Sequence, residues 1–190
     1  MSQVFQFKIT LCGIKPPIWR RVQVLSTSTY AELSDVIQTA MGWDGYHAHD
    51  FIINNQCLSH IDHIFQSIED IENIDDYAEC TEEDDDNEKL TLDAYFSMDN
   101  QKAKYVYDFG DNWRHDIKLE KILERDVGQN YPKCIAGKRA CPPEDCGGVW
   151  GYEDIISMLS NPKKRKDKER LEWLGDFNPE AFDCKYVIFS

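Results

Sequence analysis

The stretch KYVYDFGDNWRHDIKLEKI, Lys104 to Ile122, decides the fold. Two runs of alternating aromatic or aliphatic and polar residues, Lys104–Asp108 and His115–Ile122, flank Phe109, Gly110, Asp111 and Asn112, which are turn formers. An antiparallel hairpin follows. Period 2 puts Tyr105 and Tyr107 on one face, and it puts Asp111, Trp113 and His115 on one face if the return strand starts that early.

Upstream, Phe5, Phe7, Ile9 and Leu11 alternate with Gln6, Lys8 and Thr10, predicting a strand over Val4–Leu11 with an aromatic core face. Lys15, Pro16 and Pro17 stop it, and Trp19–Leu25 resumes as a second strand. Thr29 followed by Glu32 is a capping box, and Leu33, Val36, Ile37 and Ala40 recur at helical spacing until Gly42. Trp43–His49 is a ring-rich turn, and Asp50–Ile53 with Gln56–Ser59 predicts a hairpin about Asn54-Asn55. Leu90–Met98 fits either a short helix or a strand. Asp126–Gly148, rich in glycine and proline, reads as a long loop, and helical spacing returns over Tyr152–Leu159 and Asp167–Leu174. The expected fold is a single α+β domain over residues 1–190, with a mainly antiparallel, roll-like sheet, packed helices and a C-terminal helical segment.

At 190 residues the chain can bury roughly 70% of its unfolded surface without metals or disulfides. Its net charge is -14, with an acidic excursion over Ile61–Glu88 and a short basic block at Lys163–Arg170. That balance disfavours DNA as a partner, because phosphate contacts need a basic face. Seven cysteines, an odd number, with no signal sequence ahead of them, point to reduced thiols and a cytoplasmic protein. No apolar run reaches the length of a membrane span.

Two constellations concentrate chemistry. Tyr107, Asp108, Asp111, Trp113 and His115 offer carboxylates that can orient an imidazole, share a metal with it, or cap backbone donors in the turn. Pro142, Pro143, Glu144, Asp145, Gly147 and Gly148 read as a stiff presenting loop, or as a helix lead-in whose acids face the dipole. Trp43, His47 and His49 could join either, and a mixed set from His47, His49, Asp111, His115, Glu144 and Asp145 would suit a hydrolytic metal. Cys141 and Cys146, separated by four residues, could bind zinc with Cys134 and His115, against the default of buried free thiols. No phosphate loop, nucleophile elbow, dinucleotide fingerprint or zinc-protease helix is present, and the kinase-like letters Asp108-Phe109-Gly110 lack every companion motif.

The Trp19-Arg20-Arg21 strand, the Met41-Gly42-Trp43 turn with His47, Tyr107–Asp111 with Trp113 and His115, and Pro142–Asp145 with Gly147, Gly148, Gly151 and Tyr152 together resemble the plasmid pRiA4b ORF-3-like family. The resemblance implies an α+β, roll-like domain and a link to mobile elements, and it supplies no catalytic residues. The function expected is a non-catalytic binding module recognising a protein or a small molecule, with no cofactor. Its surface is drawn from Trp43, His47, Tyr107, Asp108, Asp111, Trp113, His115, Glu144, Asp145, Gly147 and Gly148. A metal-dependent hydrolase and a DNA-associated protein are the alternatives.

Overall fold

Strand β1, Gln3–Leu11, buries Phe5, Phe7, Ile9 and Leu11 almost completely, as the alternation predicts. Each such side chain contributes about 1.5–3 kcal/mol when fully buried. That face anchors the sheet of a computed structural model described over residues 3–53, 56–58, 90–161 and 168–189. The acidic excursion, the Asn54-Asn55 turn and most of the basic block lie outside the described residues.

The strands are β1, β2 (Trp19–Leu25), β3 (His49–Ile53), β4 (Gln56–Cys57), β5 (Lys102–Tyr107), β6 (Trp113–Glu124) and β7 (Lys133–Lys138). They form one sheet in the order β4-β3-β5-β6-β1-β2-β7, every neighbouring pair antiparallel. The helices are α1 (Tyr30–Met41), α2 (Gly148–Ser160) and α3 (Lys168–Leu174). The fold is α+β.

Helix α1 has the predicted box. Glu32 N donates to Thr29 Oγ1, Thr29 N donates to Glu32 Oε2, and Gly42 ends the helix in the left-handed region. Its Leu33, Val36, Ile37 and Ala40 pack with the aromatic sheet face in one core. Polar bonds fix the register as well, since Tyr105 Oη lies 2.8 Å from Ser34 Oγ and accepts from Gln38 Nε2 at 2.9 Å. The Leu90–Met98 segment resolves into a single 3-10 turn, Leu92–Ala94, beside a bridge from Thr29 to Thr91.

Two features depart from the sequence reading. Strand β7 runs through the expected long loop, because its pairing with β2 supplies an order that its own Gly-containing hexapeptide does not signal. Arg20, on the core face of β2 with Val22 and Val24, is buried. Its guanidinium donates to Ala40 O (2.7 Å) at the end of α1, to Trp19 O (3.0 Å) and to Lys138 O (3.2 Å), and it stacks 3.7 Å from the centroid of Phe182. Carbonyls at a helix C-terminus and a ring face offset the desolvation of a cation.

Room for Phe182 comes from Gly137, which pairs with Arg20 across β2 and β7 and whose added Cβ would lie 2.3 Å from the ring. Gly137→Ala should therefore cost about 1–3 kcal/mol in urea denaturation by forcing Phe182 off the guanidinium. In a Phe182→Ala background the same change should cost much less. Equal costs in the two backgrounds would place the strain elsewhere.

Candidate functional site

The hairpin between β5 and β6 turns on Asp108, a non-glycine residue at φ 55. Its amide donates to Ala48 O (2.9 Å), and its Oδ1 accepts from Gly110 N (2.9 Å) and Asp111 N (3.3 Å). This is an Asx-type turn, so one carboxylate oxygen serves the backbone, as one reading of the sequence expected. The other oxygen, Oδ2, lies 3.8 Å from His47 Nε2. Because β6 begins only at Trp113, Asp111 belongs to the turn and does not share a strand face with Trp113 and His115.

The companion loop meets this turn directly. Tyr107 Oη and Asp44 N both donate to Glu144 Oε1, each at 2.9 Å, and Trp43 Nε1 donates to Pro142 O at 3.0 Å. Gly147 N donates to Asp111 Oδ2 at 3.1 Å. The contact is close because residue 148 is glycine at φ 65, where a Cβ would sit 2.6 Å from Asp111 O. Helix α2 starts there, four residues earlier than its periodicity suggested, and its first turn carries no acid. A carboxylate from the hairpin, Asp111, reaches that helix start, while Glu144, just before it in the chain, accepts from Tyr107 and Asp44 and Asp145 faces His47.

Behind the contact stands a wall of rings. Trp43 stacks on Tyr107 with centroids 4.8 Å apart at 20°, and it lies 6.0 Å from Trp113 and 5.3 Å from His115. Tyr107, Trp113 and His115 are fully buried. Trp113 and His115 can therefore act on a ligand only through the residues in front of them. His115 Nδ1 lies 3.3 Å from Tyr105 O, which fits a proton on Nδ1, while Nε2 has no hydrogen-bond partner among the described residues. Burial pushes the His115 pKa down to about 4, and burial together with Glu144 raises that of Tyr107.

In front, His47 Nε2 lies 3.3 Å from Asp145 Oδ1 as well as 3.8 Å from Asp108 Oδ2. Asp145 is also held in the left-handed region, at φ 54, and its side chain is 76% exposed. Three ligand-type atoms from His47, Asp108 and Asp145 fall within 4.8 Å of one another, and this is the one such group among the described residues. It takes His47 and Asp145 from the mixed set drawn from the sequence, adds Asp108, and leaves out the remaining members and the cysteine set. Asp111 is committed to Gly147, His115 is buried, His49 sits in β3 beside Tyr105, and no cysteine belongs to the group. Cys12, Cys134, Cys141, Cys146 and Cys184 are free thiols, and burial pushes Cys146 up to about 12 and Cys141 higher still.

Sequence reasoning passed over three residues here. Asp44 contributes only its backbone, which no side-chain pattern reports. Tyr46, beside His47 in the 43–47 turn, and Trp150, in the first turn of α2, are 82% and 83% exposed. Of the basic block, Arg170 donates to Asp154 Oδ2 (2.5 Å) and Gly151 O (3.1 Å), tying α3 to α2. No helix among the described residues is long and apolar enough to cross a membrane.

Comparison with known proteins gives a consistent result. The family model described as plasmid pRiA4b ORF-3-like protein matches residues 3–186. The chain is 32% identical over 191 residues to the uncharacterized protein y4hQ of Sinorhizobium fredii, spanning 100% of this chain and 89% of that one. It is 38% identical, with a TM-score of 0.80, to the crystal structure of a protein of unknown function, MM3350, from Methanosarcina mazei Go1, covering 100% of this chain and 99% of the other.

The buried imidazole sets a pH dependence. His115 is neutral in the folded state down to about pH 4, whereas in the unfolded chain it takes up a proton near 6.5. Its neutral burial is thus compatible with full stability above about pH 6.5, and stability is lost as pH falls from there toward 4. In urea denaturation across that window, His115→Gln should show a shallower loss than the parental chain. Parallel profiles would mean that another group carries the slope.

Proposed function

This chain belongs to the plasmid pRiA4b ORF-3-like family, and from that premise we propose that it is a non-catalytic binding module. Its recognition centre is the rim where the 43–47 turn, the Tyr107–His115 hairpin and the Pro142–Gly148 loop meet. The observation that carries this reading is the interlock of segments distant in sequence through Tyr107, Asp44 and Glu144 on one side and Asp111 and Gly147 on the other. Such a stage holds His47, Asp108 and Asp145 before any ligand arrives, which lowers the ordering cost of binding. Exposed Tyr46, next to His47 in the chain, supplies large contact area beside it. The raised pKa values of Cys141 and Cys146 keep those thiols protonated and poorly nucleophilic, which supports binding over covalent chemistry. The family description names a plasmid reading frame, which supports an association with mobile elements.

One feature favours a second reading, a metal-dependent hydrolase, namely the imidazole set between two carboxylates. Amide NMR spectra recorded against a fragment set of carboxylates, amides, sugars and nucleotides separate the two. The binding reading expects shifts concentrated at residues 43–47, 108–111 and 144–150. Shifts gathered elsewhere count against it. Metal-stimulated hydrolysis of bis-p-nitrophenyl phosphate that His47→Ala abolishes would transfer the site to the hydrolase reading.

A further inference from the structure

We infer that His47, Asp108 and Asp145 form a binding site for one first-row divalent cation of the zinc, cobalt or manganese class, with coordination positions left open to a ligand from solvent. The inference deepens the reading of this rim as a recognition centre and rests on it.

The argument begins with what these atoms do without a cation. A neutral imidazole whose Nε2 carries the lone pair would face two carboxylate oxygens, at 3.3 and 3.8 Å, three acceptors turned toward one another. That Nε2 is buried and makes no hydrogen bond of acceptable geometry to either oxygen. The 3.3 and 3.8 Å separations suit a shared metal, and all three atoms lie within 4.8 Å of one another. Bonds of about 2.0–2.2 Å to imidazole nitrogen and carboxylate oxygen place neighbouring ligand atoms about 3.4 Å apart on a tetrahedron.

Of the three, Asp108 is held from behind, as metal ligands characteristically are. Asp108, its side chain 10% exposed, has Oδ1 fixed by Gly110 N and Asp111 N, which aims Oδ2 at His47. Asp145 follows Glu144, whose Oε1 is held by Tyr107 and Asp44. The ring of His47 lies edge-on to Tyr107, with centroids 5.8 Å apart. On the solvent side Asp145 is mostly exposed, so that side is open to an exogenous donor. One imidazole with two carboxylates lacks the thiolate that soft cations select and the all-oxygen shell that calcium takes. It fits zinc, cobalt(II), manganese(II) or iron(II).

The test is titration of the chelator-stripped full chain with Co²⁺ and Zn²⁺, followed by absorption and calorimetry. The expected result is one equivalent of Co²⁺ per chain, a visible d–d spectrum without a near-ultraviolet thiolate-to-cobalt band, and competition by Zn²⁺. His47→Gln, Asp108→Asn and Asp145→Asn should each weaken binding by about tenfold or more. Asparagine tolerates positive φ and keeps an acceptor for the turn amides, so the two aspartate variants remove charge with little backbone cost. Exposed Asp99→Asn should leave binding unchanged. Absence of stoichiometric binding, a thiolate band, or affinity indifferent to the three variants would overturn the inference. A silent titration beside fragment shifts gathered on the rim removes the cation and leaves the binding module standing. Cobalt bound at the three residues with no fragment on the rim does the reverse.

Discussion

One carboxylate oxygen, Oε1 of Glu144, joins three segments far apart in the sequence: its own loop, the end of β5 through Tyr107 Oη, and the turn after α1 through Asp44 N. A hydrogen bond to a charged acceptor contributes about 1.5–3 kcal/mol, and two converging on one atom fix a geometry as well as an energy. The placement of Asp145 follows from that of its neighbour, and the placement of His47 follows from the turn that Asp44 belongs to. The rim is therefore only as well defined as this junction, and the ring wall of Trp43, Tyr107, Trp113 and His115 packs behind it.

A second buried polar group organises the other end of the sheet. Arg20 gathers the last turn of α1, strand β7 and Phe182 around one guanidinium. Beside it, Arg139, buried at φ 67, donates to Pro16 O (2.6 Å) and Glu180 Oε1 (2.8 Å), and Ala140 N donates to Pro179 O (3.0 Å). The C-terminal segment is thus held by these polar contacts together with the packing of Phe177, Val187 and Phe189 against the core. Arg139 follows β7 directly, just before the loop that carries Pro142 and Glu144, so the two organising groups are linked by a few residues of chain.

What could be read in the sequence was whatever has a local cause. Alternation gave β1 and β2, the Thr29 and Glu32 pair gave the start of α1, and Gly42 gave its end. Turn chemistry located the hairpin, and a carboxylate serving that turn was foreseen for Asp108. The features that escaped have distant causes. Strand β7 exists because β2 offers an edge, Arg20 is buried because Ala40 and Phe182 receive it, and the first turn of α2 is built from Gly148 and Gly151, which helical periodicity does not register. His47 and Asp145 belong to the mixed metal set drawn from the sequence, and what was not legible there is their meeting with Asp108. His47 and Asp145 stand nearly a hundred positions apart, and only the folded contacts of Asp44 and Glu144 bring them together.

The sheet order has a consequence in time. Strand β1 is synthesised first, yet one of its two neighbours, β6, supplies partners as late as Glu124 for Gln3. At about 5–20 residues per second, the β1–β2 hairpin waits on the order of ten seconds with one backbone edge of β1 unpaired. Pairings this distant are slow to close after release as well. The interval between emergence of the first strand and arrival of its second neighbour is therefore when a nascent chain is most exposed to strand exchange with another copy. Conditions that shorten it, or a chaperone that occupies that edge, should govern how much of the protein reaches its folded form in a cell.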